Sequence, residues 1–96
     1  MTIKQFTAYV KQQMQSEQDD DKKNVYIATE QHLRLYPRIT QVDMQGWLAA
    51  SATDYRARAE SIREVQPLSM IVDIYETYAQ VYGELRAILS GERMVQ

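Results

Sequence analysis

From Met44 onward, apolar side chains return at steps of four and three residues in two runs, with Pro67 lying between them. Met44, Leu48, Ala52, Tyr55, Ala59 and Ile62 form the first, and Ile71, Tyr75, Tyr78, Tyr82, Leu85 and Leu89 form the second. A period between three and four is that of a helix face, whereas a half-buried strand alternates every two residues. Two long amphipathic helices joined at a proline must pack back on each other, because neither can hide its apolar stripe alone. The rest of the chain agrees. Three glycines and two prolines in 96 residues leave few helix breakers. No Asn-Gly or Asp-Gly pair marks a hairpin of strands. The sequence therefore predicts an all-α fold, a small bundle of three to four helices built on a long C-terminal helical hairpin. At this length it forms a single domain.

The expected helices cover about 3–15, 20–36, 41–66 and 68–90, with a short tail at 91–96. In the first, Ile3, Phe6, Val10 and Met14 share a face, and Thr2 with Gln5 has the spacing of a capping box. The run Asp19-Asp20-Asp21 suits the positive end of a second helix. That helix would show Val25, Ala28, His32 and Tyr36 on one side, with Tyr26 and Leu33 beside them, and Pro37 would stop it. Lys23–Thr29 also reads as a strand, so both forms stay open. Thr40 caps the third helix, which is either one element to Gln66 or two elements with a turn near Ser51-Ala52-Thr53. Pro67 suits the first turn of the last helix and Gly91 the residue just past its end. Gly83 would allow a close helix crossing.

Several chemistries are excluded by residue type. The chain has no cysteine, hence no disulfide, thiolate nucleophile or iron–sulfur ligand set, and this fits a reducing, cytoplasmic setting. The N-terminal segment carries Lys4, Gln5 and Thr7 where a secretory leader would be uninterruptedly apolar, and no apolar run approaches membrane-spanning length. His32 is the single histidine, and Thr29 stands where the di-iron bundle motif carries Glu. No metal or other cofactor is expected. Neither a glycine-rich phosphate loop nor a nucleophile elbow occurs, and the Asp19–Asp21 carboxylates, being adjacent, point different ways on a helix. The sequence predicts no enzyme.

What remains is surface. Tyr75, Tyr78, Val81, Tyr82 and Leu85 would form a protein-binding face on the last helix, because tyrosine is enriched in interface cores. Its apolar arc is wider than the ~100° that a surface helix of a bundle needs, which predicts a homodimer through this helix. Arg56, Arg58 and Arg63 are candidates for contact with phosphate or an acidic partner, although Glu60 and Glu64 lie among them. With a net charge of −2, nucleic acid is not an expected partner. The expected role is a small adaptor, inhibitor, antitoxin-like or chaperone-like interaction module.

One resemblance gives the alternative. The stretch YPRITQVDMQGWLAASATDYRARAESI is similar to a helix-turn-helix unit, with Thr40–Ala50 as its first helix and Thr53–Val65 as its recognition helix. The resemblance implies a DNA-binding regulator that dimerises through the last helix. Gln45 and Ala49 stand where such units carry a small residue and a turn glycine.

Overall fold

A computed structural model describes residues 1–93, and these form four α-helices with no strand. Helix α1 spans Ile3–Ser16, α2 Asp20–Leu35, α3 Gln41–Val65 and α4 Met70–Ser90. The part of the expected tail beyond Arg93 lies outside the described residues.

Local chemistry accounts for most ends. Thr2 Oγ1 accepts from the Gln5 amide at 3.1 Å while Gln5 Oε1 accepts from the Thr2 amide at 2.9 Å, which is the full capping box. Asp19 and Thr40 cap α2 and α3 by accepting from Lys22 and Asp43 amides. The segment Lys23–Thr29 is helical. The last helix starts later than its sequence suggests: Ser69 is its N-cap, accepting from Ile71 N–H at 3.2 Å, so Pro67 and Leu68 belong to the preceding turn. Gly91 ends α4 in the left-handed region at φ 83°, a conformation that costs any residue with a Cβ.

Helix α3 passes through Ser51, Ala52 and Thr53 without a turn. The two-helix arrangement implied by the helix-turn-helix resemblance is therefore not formed. Its seam is continuous because Met44, Leu48, Ala52 and Ala59 all face inward, and nothing at 51–53 supplies a stop.

Helices α3 and α4 run antiparallel along most of their length, with Trp47 beside Tyr82, Tyr55 beside Tyr75 and Arg63 beside Glu76. Small residues, Ala52, Ala59 and Ala79, are buried along this hairpin. Helix α2 lies on α4, and α1 on α2. Together they close a core of Phe6, Val10, Leu33, Met44, Leu48 and Leu85 with their neighbours, each large side chain stabilising the fold by roughly 1.5–3 kcal/mol. Gln41 ties the ends together, its Nε2 donating to the carbonyls of Met1 at 2.6 Å and Leu89 at 2.9 Å.

Two expectations about faces need correction. The inward face of α2 is Val25, Tyr26, Thr29 and Leu33, rotated from the expected Val25, Ala28, His32 and Tyr36. Thr29 can occupy a fully buried position because its hydroxyl donates to the Val25 carbonyl at 2.7 Å. Tyr36 falls beyond the helix and is exposed. Gly83 is at no close crossing: a Cβ there would meet nothing within 4 Å.

Helix length decides which part of the hairpin stays bare. At 1.5 Å per residue, the 25 residues of α3 reach about 37 Å and the 16 of α2 about 24 Å. The molecule is accordingly elongated, 41 × 26 × 26 Å. The N-terminus of α2 meets α4 at Tyr78, where Asn24 Nδ2 donates to the tyrosine hydroxyl at 3.2 Å. Beyond that point the α3–α4 hairpin continues without α2. At its tip Val65 is 79% exposed and Leu68 97%.

Candidate functional site

Seven rings form a connected row across α2, α3 and α4. The His32 ring stacks on Trp47 at 4.1 Å and 11°, with Tyr36 tilted against its other side at 4.8 Å. Trp47 meets Tyr82 edge-on at 5.6 Å. Tyr82 stacks on Tyr55 at 5.9 Å, and Tyr55 packs against Tyr78 at 5.1 Å and Tyr75 at 5.3 Å. Offset and edge-to-face pairs at these spacings add about 0.5–1.5 kcal/mol each beyond burial. The row is ordered by its neighbours, which hold its outer members in place.

The row changes character along its length. Tyr82 is buried, and burial pushes its hydroxyl up to about 12, with the Tyr55 and Tyr78 hydroxyls adding to the shift. Tyr26, in the same core cluster, is likewise pushed up to about 12, chiefly by burial. Burial lowers His32 below its ordinary value of 6.5. Trp47, Tyr55, Tyr75 and Tyr78 are half-buried.

The residues expected on a binding face of α4 thus divide. Val81, Tyr82 and Leu85 are packed inside the chain's own core. Tyr75 and Tyr78 lie at the rim, where they join Tyr55. Helix α4 is the helix against which both α2 and α3 pack, which absorbs much of its wide apolar arc.

The arginines do not form one patch. Arg58 sits over the Tyr55 ring at 5.4 Å and pairs with Asp54 at 3.0 Å. Arg56 and Arg63 line a different cleft of about 430 Å³ with Glu60 and Glu76, and Arg63 pairs with Glu76. Arg56 and Glu60 have the spacing of a helix pair, but the ion pairs of this region are Arg58–Asp54 and Arg63–Glu76. Each cation here lies close to a carboxylate, which weakens its pull on phosphate.

A second hollow of about 570 Å³ opens beside the α2–α3 turn, lined mainly by apolar atoms of Leu35, Tyr36, Pro37 and Ile39 with His32, Arg38 and Asp43. Among the described residues, no three His, Cys, Asp or Glu side chains come together as a metal would require, and no buried side-chain polar atom lacks a partner. The arrangement offers amphipathic rings and apolar surface, a chemistry of recognition.

The tyrosines of α4 were visible from spacing alone. Tyr55, Trp47 and His32 were missed as members of the row, because nothing in the chain's order says that three helices bring them to one side. The fold and this face define a small four-helix module with an ordered aromatic surface. No family model, curated relative or solved structure matches the chain.

Proposed function

We propose that the chain is a non-enzymatic protein–protein interaction module, of the adaptor, inhibitor, antitoxin or chaperone kind. The observation that carries this reading is the half-buried row Tyr55, Tyr75 and Tyr78, fixed by ring packing and continuous with an exposed apolar hairpin tip. Ordered aromatic side chains with one wet edge are typical anchors of interfaces. The partner is another protein, and self-association through α4 belongs to the same reading. The absence of cysteine supports a reducing, cytoplasmic setting. No helix among the described residues is long and apolar enough to cross a membrane.

Cross-linking in source-cell extract, followed by mass spectrometry, tests the reading. The expected result is cross-links from the α3–α4 hairpin to one protein species, lost in Tyr75→Ala/Tyr78→Ala. A chain that binds a specific DNA duplex at ~10⁻⁸ M and shows no such protein cross-link would overturn it.

A further inference from the structure

We infer that the bare half of the α3–α4 hairpin is the site at which a second copy of this chain docks, two-fold and face to face, so that two hairpins complete a four-helix bundle. The inference rests on the interaction reading above and names its partner and surface.

Continuity is the first argument. The α4 face that α2 covers as far as Tyr78 does not end there. It runs on through Tyr75 and Ile74 to Ile71, which is 46% exposed, and α3 contributes Tyr55 and Ile62 to the same half of the hairpin. An isolated pair of helices leaves a seam open, and the usual closure is a second pair packed at a shallow angle. Among the described residues only α1 and α2 are available for this purpose, and at 14 and 16 residues both are too short to cover a 25-residue helix.

Charge is the second. On the bare half of the hairpin, Arg58, which lies over the Tyr55 ring, is matched by Asp54. Arg56, Glu60, Arg63 and Glu76 line a separate cleft with Ala59 and Ala79. A strongly basic or acidic partner would therefore find little counter-charge beside Tyr55, Tyr75 and Tyr78. An identical face brings no like-charge penalty, and isologous pairing is the commonest symmetric solution.

Area sets the strength. Tyr55 to Val65 spans about 16 Å, and two helices side by side are about 20 Å wide, a footprint of roughly 300 Å² that the tip residues raise to ~500 Å². That is below the ~800 Å² per partner of a standard complex, so the pair is weak and depends on concentration.

Sedimentation equilibrium from low-micromolar to submillimolar protein reads this directly. The mass should rise from 11.2 kDa toward twice that value. Ile71→Asp should abolish the rise without unfolding the monomer, because Ile71 is exposed and an acid in the first turn of α4 favours the helix dipole. A cross-linking arm uses the lack of native cysteine. In an antiparallel pair the axis passes near the middle of the strip, so Ile74→Cys should give an oxidised dimer and Lys4→Cys should not. A mass of 11.2 kDa at every concentration, or dimerisation unchanged by Ile71→Asp, overturns the second copy as occupant. If hairpin cross-links to a different protein are then found, the interaction reading stands with another partner; if neither is found, both fall.

Discussion

Leu85 and Ile71 lie on the same helix and differ chiefly in what covers them, so truncating each to alanine measures the cover. Leu85 is 1% exposed, in the core it shares with Phe6, Val10, Val25 and Leu33, whereas Ile71 is 46% exposed beyond the end of α2. Leu85→Ala removes about three carbons from the core, roughly 2.5 kcal/mol of transfer free energy. The cavity left behind brings the total to about 3–4 kcal/mol. Ile71→Ala removes as many carbons, but roughly half of their surface is already in water and no closed cavity results. Its cost is ~1 kcal/mol, reduced further by the better helix propensity of alanine. For a domain of this size 1 kcal/mol corresponds to about 4–8 °C in Tm. Leu85→Ala should lower Tm by roughly 15–25 °C and Ile71→Ala by less than ~8 °C, read by circular dichroism at low-micromolar protein where copies are apart. Equal losses would refute the reasoning, because they would mean that the distal half of the hairpin is closed within one chain.

Two further outcomes follow from single residues. Burial lowers the pKa of His32, so between the folded value and 6.5 the unfolded chain binds more protons; stability should be flat above about pH 7.5 and fall as pH drops through that window, and His32→Phe, which keeps a ring against Trp47, should remove the slope in urea midpoints taken across it. Gly83→Ala should stabilise by ~0.5–1 kcal/mol, since Gly83 is mid-helix with open space around its Cβ, while Gly91→Ala should destabilise by ~1 kcal/mol because φ is 83° there; opposite signs in paired denaturant titrations check both.

Helix positions were legible in the sequence because they depend on short-range chemistry. The Thr2/Gln5 box, the Thr40 cap, the uninterrupted α3 seam and the Gly91 terminus each involve residues within one or two turns. The rotation of α2 was hidden because Thr29 looks polar in the sequence and is made internal only by its bond to Val25. The late start of α4 was hidden because Pro67 is compatible with both a turn and a first helical residue, and the Ser69 cap decides between them. The candidate surface was half legible. Tyr75 and Tyr78 share a period on one helix, but Val81, Tyr82 and Leu85 share it too, and only the length of α2 separates covered from bare. Likewise Arg56, Arg58 and Arg63 are close in sequence yet lie on different sides of α3, which is what steps of two and five residues produce on a helix.

The uncovered continuation of the α4 face is proposed as the surface on which a second copy of the chain docks. Amide and side-chain NMR shifts followed on dilution from submillimolar to low-micromolar protein test it most directly. The expected changes are confined to Tyr55, Ile62 and the stretch from Leu68 to Tyr78, with α1 and the outer side of α2 silent. Spectra that do not change with dilution, or changes centred on α1, would contradict it.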